Sequence, residues 1–178
     1  MRRCYSPPLP KIWLMTDERM GQSLLSSIAA LPRGAGVVFR HYQTPDRKAL
    51  FGAVKRLTKA RRLVLLLAGH ERRALRWQAD GSHRRSPHRA TTLRTAPVHS
   101  IPERLAAERA GAALLFVSPV FSTRSHEGAK TLGPVGFGML MRGAKRPVIA
   151  LGGMTKRRAR SLRPLKIYGW AAIDSLTV

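Results

Sequence analysis

Two adjacent glycines, Gly152-Gly153, follow the apolar run Pro147 to Leu151 and precede Thr155, which opens a basic stretch. A residue without a Cβ lets backbone amides approach an anion closely, and a helix beginning just beyond adds roughly half a positive charge at its first turn. The pattern suits a phosphate; the alternative is a tight strand-to-helix turn that holds no ligand. Other reactive residue types are less well partnered. Ser118 offers a hydroxyl with no identifiable base or oxyanion donor, so it is taken as ligand-contacting or structural. His83 and His88 stand five apart among arginines rather than at the i,i+4 spacing of paired helical zinc ligands, and no Cys accompanies them, so they are read as part of a solvated loop. Tyr42, at a predicted strand end, could pack on a ring-shaped ligand. Trp13, Trp77 and Trp170 fall within predicted regular elements and are assigned to packing rather than to a stacking platform.

The charge balance bears on the same question. The 178 residues carry 33 Lys+Arg against 9 Asp+Glu, a formal net charge of +24. Cationic side chains neutralise phosphates and release counterions, which raises nucleic acid as a partner. The basic residues are dispersed, however, and the densest clusters (Lys59 to Arg62, Arg84 to Arg89, Lys156 to Arg160) are not interleaved with aromatic residues on which single strands stack. A solvated basic surface that concentrates anionic, phosphorylated ligands is the primary reading. Non-specific nucleic-acid binding is retained as an alternative. A single cysteine, Cys4, excludes an intramolecular disulfide framework and a Cys-based zinc site, and suits a reducing compartment. The longest apolar stretch, Leu63 to Ala68, is far short of the ~20 residues of a membrane span, and the opening MRRCYSPPLPK lacks an apolar signal region. These features imply a cytoplasmic protein with no membrane partner.

The elements that must position these residues alternate. Strands are predicted at Lys11 to Thr16, Gly36 to Arg40, Leu63 to Leu67, Ala79 to His83, within Thr91 to Val98, at Ala113 to Val117, Pro147 to Leu151 and Tyr168 to Ile173. Between them lie helical stretches: Gly21 to Leu31; a helix after Asp46 with Ala49, Leu50, Ala53, Val54 and Leu57 on one face; Glu71 to Gln78; Pro134 to Met141; and one opened by Thr155. Ser100-Ile101-Pro102-Glu103 has the Ser-x-x-Glu spacing of a capping box. Alternation without a hairpin signal predicts a parallel α/β sheet, and eight strands can close into a compact single-domain (β/α)8 barrel spanning 1–178. The alternative is an open, doubly wound parallel sheet, although the Gly-x-Gly-x-x-Gly of that fold is missing, Asp17 to Gly21 being DERMG.

Leu14-Met15-Thr16-Asp17, Ala79-Asp80-Gly81-Ser82-His83, Val98-His99-Ser100, Ser118-Pro119-Val120-Phe121-Ser122-Thr123 and Ala150-Leu151-Gly152-Gly153-Met154 occur in that order. In order and spacing they resemble the thiamine phosphate synthase and TenI superfamily. The resemblance implies a (β/α)8 barrel of thiamine biosynthesis. Its synthase branch joins a pyrimidine diphosphate to a thiazole phosphate with magnesium, and its TenI branch isomerises a thiazole carboxylate phosphate.

Departures from the synthase pattern imply the second branch. Arg40 keeps one diphosphate contact of the second strand, whereas the Lys expected after it is absent from Phe39-Arg40-His41-Tyr42. The synthases' Asn-Asp falls on Ala68 and Gly69, and their Gln-x-Asp near Ser86, Pro87 and His88, so no carboxylate stands ready for magnesium. The loop Thr123-Arg124-Ser125-His126 keeps two hydroxyls and replaces another Lys, and Asp174 stands where the family commonly has Ser. The resemblance implies His99 as the acid/base, with Arg40, Ser118, Thr123, Ser125, Gly152 and Gly153 around a phosphorylated thiazole. No metal site and no cofactor are expected, with magnesium relevant only if synthase activity is retained. A non-catalytic binding module for phosphorylated metabolites is the alternative function.

Overall fold

The computed structural model describes residues 8–123, 128 and 130–178. Eight strands, β1 (Ile12–Met15), β2 (Gly36–Phe39), β3 (Val64–Ala68), β4 (Gly81–His83), β5 (Leu93–Val98), β6 (Leu114–Val117), β7 (Val148–Ala150) and β8 (Gly169–Ala172), form a closed barrel in sequence order. Every neighbouring pair is parallel, and β8 closes onto β1 with Trp170 beside Ile12 and Ala171 beside Trp13. The predicted barrel is therefore correct and the open-sheet alternative is not. Among the described residues no helix is long and apolar enough to cross a membrane.

The continuous apolar runs follow from burial on two sides. Trp13, Met15, Val38, Leu66, Phe116, Ile149 and Ala171 meet inside the barrel. Their neighbours in sequence face outward into two clusters against the helices, one around Val37, Phe39 and Leu65, the other around Leu115, Val117 and Ala150. Trp13 fills the interior with its indole: it lies edge-on to Phe116 at 5.5 Å, and its Nε1 donates to the Pro10 carbonyl at 2.7 Å. The space comes from Gly36, its partner in register on β2, where an added Cβ would stand 2.1 Å from Trp13 Cε3.

Among the described residues six helices cover the wall: α1 (Ser23–Ala30), α2 (Arg47–Arg61), α3 (Glu71–Arg76), α4 (Ile101–Arg109), α5 (Gly133–Met141) and α6 (Lys156–Ser161). The economy falls at two places. Residues 84–92 join β4 to β5 without a helix, and β8 runs into a 3-10 turn at Asp174–Leu176. The first connection is stapled by Glu71, whose carboxylate accepts from the amides and hydroxyls of Thr91 and Thr92 at 2.6–3.2 Å. Buried Arg94 closes it from the other side, donating to the carbonyls of His88 (2.6 Å) and Ala110 (2.5 Å).

Replacing Gly36 by Ala should force the Trp13 indole off its site. The expected cost is about 1–3 kcal/mol of overpacking, read as a melting temperature lower by about 2–4 °C per kcal/mol. An unchanged melting temperature in circular dichroism would show that the indole does not depend on that space.

Candidate functional site

All eight strands point their carboxyl ends to one mouth, where barrels of this kind gather side chains from several loops. Gly152 and Gly153 leave β7 there in the left-handed region, with φ of +93° and +59°. A Cβ on Gly152 would stand 2.7 Å from Pro119 Cα, and one on Gly153 would stand 2.2 Å from the Ser122 carbonyl oxygen. The loop after β6 causes this crowding by continuing the ladder: the Val120 amide donates to Leu151 O and the Phe121 amide to Gly152 O, at 2.9 and 3.1 Å. Both conformation and packing thus demand glycine. The Gly152 and Gly153 amides have no acceptor among the described residues.

These glycines line a cavity of about 240 Å³ together with Ser122, Thr123, Arg158 and Asp174. Arg158 is held by three contacts. Its amide donates to the Thr155 hydroxyl that caps α6 (3.2 Å), its guanidinium donates to the Gly153 carbonyl, and the same group lies 4.7 Å over the Phe121 ring. Asp174 brings a carboxylate to the same cavity, and Ser175 next to it donates its hydroxyl to Met154 O at 2.7 Å. Cation, hydroxyls and two available amides are a donor set for a phosphate, with Asp174 limiting how much negative charge the cavity accepts.

His99 follows β5 at the same end. Its Nδ1 lies 2.8 Å from the Ser118 carbonyl and 3.4 Å from the Ser118 hydroxyl. A carbonyl only accepts, so Nδ1 carries the proton, and in the neutral ring Nε2 is left with its lone pair. The backbone at this point is fixed by Glu103, whose Oε2 accepts from the His99 amide at 2.8 Å, while the Ser100 hydroxyl accepts from the Glu103 amide at 3.4 Å. The predicted capping box is half right: the Ser side is present, and the Glu side reaches one residue further back, to His99, and also pairs with Arg85.

A third group surrounds Arg40. Thr16 ties the ends of β1 and β2 by accepting from the Arg40 amide and meeting His41 Nδ1, both at 2.9 Å. Asp17 lies 2.7 Å from Arg19 and 3.9 Å from Arg40. Burial alone would raise its carboxyl, but the hydrogen bonds and charge of Arg19, with the charge of Arg40, outweigh that and hold it below the usual range. His41 is buried and stacked on Phe39 at 5.0 Å, and desolvation lowers it below the ordinary histidine value.

His83 corrects the sequence reading. It ends β4, as the strand predicted at Ala79 to His83 has it, yet it is buried rather than solvated, with Nδ1 2.8 Å from the Thr95 hydroxyl and its ring edge-on to Phe116 at 4.9 Å. Its inward parity in a three-residue strand too short to show alternation is what the sequence concealed. Burial, with a smaller push from Arg40, brings its pKa down to about 3, so the ring is neutral at pH 7. His88, in contrast, is exposed in the 84–92 connection.

The structure thus joins Thr123, Gly152 and Gly153 in one cavity and His99 with Ser118 in one contact; Arg40 lies outside the cavity lining, beside Asp17. Ser125, with Arg124 and His126, lies outside the described residues. Sequence reasoning missed Arg158 and Glu103, although Arg158 stands three residues after the capping Thr155 and Glu103 is itself part of the capping spacing. Magnesium finds no suitable donors at the expected positions. Ala68 and Gly69 offer no side-chain oxygen, His88 is exposed, the Asp17 carboxylate is taken by arginines, and no cluster of three His, Cys, Asp or Glu converges among the described residues.

Comparison with known proteins identifies the family. Residues 12–176 match the family described as Thiamine monophosphate synthase. The chain is 30% identical over 93% of its length to an Aquifex aeolicus (strain VF5) protein named "Putative thiamine-phosphate synthase 2", covering 97% of that protein. It is 26% identical to the thiamine-phosphate synthase of Pyrococcus furiosus, over 93% of this chain and 86% of that protein. A solved thiamine phosphate pyrophosphorylase from Pyrococcus furiosus superposes with a TM-score of 0.76 at 24% identity, over 92% of this chain and 85% of that one.

His83 gives the fold an acid sensitivity. Its folded pKa is depressed, so between about 6.5 and about 3 the unfolded chain binds a proton that the folded state refuses, and stability falls as pH falls through that window. The limiting slope from this one group is about 1.4 kcal/mol per pH unit. His83→Gln, which can still meet Thr95, should flatten the dependence of urea-unfolding free energy on pH between 6.5 and 4.5. Parallel profiles for the two proteins would refute the assignment.

Proposed function

The chain belongs to the thiamine monophosphate synthase family, and we propose that it binds a phosphorylated thiazole at the barrel mouth and isomerises it with His99. The carrying observation is the bond from His99 Nδ1 to the Ser118 carbonyl, which presents Nε2 as a base in the neutral ring. In the proposed reaction Nε2 takes the proton from a ring carbon, the exocyclic double bond moves into the ring, and the same proton returns to the exocyclic carbon. One C–H bond breaks, one forms, and nothing is oxidised or reduced. An imidazole suits this because one ring nitrogen can accept the proton and return it, changing role between the two half-steps. Ser118 and Glu103 are positioning residues that fix the tautomer and the backbone of His99.

In this reading the phosphate occupies the cavity of Gly152 and Gly153, with Arg158 as its cation and Ser122 and Thr123 as hydroxyl donors. Arg158 takes the part first assigned to Arg40, which is engaged with Asp17 across the mouth. Condensation by the synthase route is disfavoured by the donor set, since neither carboxylates for magnesium nor the second-strand Lys are present.

The roles separate by experiment. Arg158→Gln should weaken binding of the thiazole carboxylate phosphate by about 10- to 100-fold in calorimetry, as loss of a charge-assisted contact does. His99→Ala should leave that affinity within about twofold while lowering isomerisation, followed by NMR of the exocyclic methylene, by about 10²-fold or more. Tight binding by the wild-type protein without isomerisation would replace the enzyme by a binding module. Fast magnesium-dependent condensation of the two thiamine precursors would overturn the branch assignment.

A further inference from the structure

Helix α5 stands apart in this strongly basic chain. Its nine residues include no charged or polar residue, although 33 of the 178 residues are Lys or Arg. Phe137 and Leu140 are buried on its inner side, as covering the wall requires. On its outer side Val135 and Met139, one turn apart, are 77% and 68% exposed. A helix whose only task was to cover the wall would carry polar side chains at those two positions.

The neighbouring α4 extends the same surface. Both helices begin at the mouth, and their far ends are tied together: Arg104 donates to the Gly143 carbonyl at 3.2 Å, and Glu108 accepts from the Lys145 amide at 2.7 Å. Ile101 and Leu105, three before and one after Arg104, lie on this side of α4 and are exposed as well. The charges of α4 (Glu103, Arg104, Glu108 and Arg109) cancel, so the two helices contribute nothing to the net +24. Beside the ridge of Val135 and Met139 is a shallow hollow of about 330 Å³, lined by Gly138, Met139, Met141, Arg142 and Leu165. The missing side chain of Gly138 leaves it open, since a Cβ there would already stand 3.3 Å from Leu165 Cδ2. Ridge and hollow on one helix complement each other, because a two-fold axis across α5 brings the ridge of each copy to the hollow of the other.

We propose that this face of α4 and α5 is where two copies of the chain meet, with α5 packed antiparallel on α5. Charge selects the occupant. A nucleic acid or an acidic peptide would be held by cations, which α5 lacks, whereas a second copy brings another +24 and approaches best where that charge is thinnest. With the axis between Val135 and Met139, the two Arg142 side chains start about 15 Å apart along the helices, beyond the screening length of about 8 Å at physiological salt. The antiparallel arrangement points the two mouths in opposite directions. Four exposed apolar side chains per copy make a small interface, so the dimer is weak and concentration-dependent rather than obligate.

Sedimentation velocity of the full chain should show a monomer when dilute and a species of twice its mass at micromolar concentrations. Because the contact is apolar and the copies repel, added salt should strengthen the dimer, whereas an association bridged by anions would weaken. Val135→Ser together with Met139→Gln changes no charge and touches exposed positions only, so it should raise the dissociation constant about tenfold or more without moving the melting temperature. In methyl NMR of the unaltered protein, concentration-dependent shifts should gather on Ile101, Leu105, Val135 and Met139 and spare Leu25 and Leu75, which are exposed on α1 and α3. A monomer at every concentration, shifts centred elsewhere, a dimer that salt dissolves, or one that the double variant leaves intact would overturn the proposal. A monomer that pellets with uncharged lipid vesicles, and no longer does so in the double variant, would assign the face to a membrane surface and overturn it as well.

Discussion

A closed ring of parallel strands leaves an interior that no solvent or helix can fill, so side chains must fill it, and here the strands are only three to six residues long. With so few inward positions, single residues carry whole layers. The Trp13 indole occupies one level, made possible by the bare backbone of Gly36, and the rings of Phe116 and His83 occupy the level toward the mouth. The same constraint explains the neutral histidine: an imidazole enclosed by Phe116, Ala68 and Thr95 has no solvent to stabilise its charge, and Arg40 above opposes it further.

The excess of arginine acquires a structural meaning in this frame. Carboxylates are too few to pair with 33 cations, and several guanidiniums donate to backbone carbonyls. Arg47 serves Ala68, Arg61 serves Leu31, Arg94 serves His88 and Ala110, and Arg104 serves Gly143. The arrangement has a cost, since Nε of Arg47, Arg61 and Arg104 is buried without a partner. Arg47 recovers part of it by lying over Phe39, Tyr42 and Trp77 at 5.3–5.7 Å. Tyr42 is therefore engaged with a cation of its own chain.

At the mouth, three small assemblies share one physical device, a backbone carbonyl or amide that orients a side chain. The Gly153 carbonyl holds Arg158, the Ser118 carbonyl holds His99, and the Arg40 amide holds Thr16. Backbone groups are fixed by the strands and turns that carry them, so these side chains inherit the rigidity of the barrel, with Glu103 adding a further hold on the His99 backbone. The loop after β6 couples two of the assemblies, because its Ser118 end meets His99 and its Ser122 end closes on Gly153.

The sequence alone determined the element types and the barrel, because burial on both faces makes parallel strands continuous apolar runs and helices between them carry their own periodicity and caps. It also determined the Gly152-Gly153 turn, since that rests on residue types at fixed spacing. Only tertiary structure decided the rest. His83 was placed at a strand end but read as solvated, because β4 is three residues long and too short to show which face it presents, and its burial depends on β5 and β6 closing around it. Arg40 was the cation assigned to the phosphate and Arg158 was missed, whereas Arg158, packed on Phe121, lines the cavity and Arg40 stands beside Asp17 outside its lining. Trp170 looked like packing, and it is half-buried against the outer cluster, because whether an outward strand residue is covered depends on what lies over it, and local sequence carries no record of that.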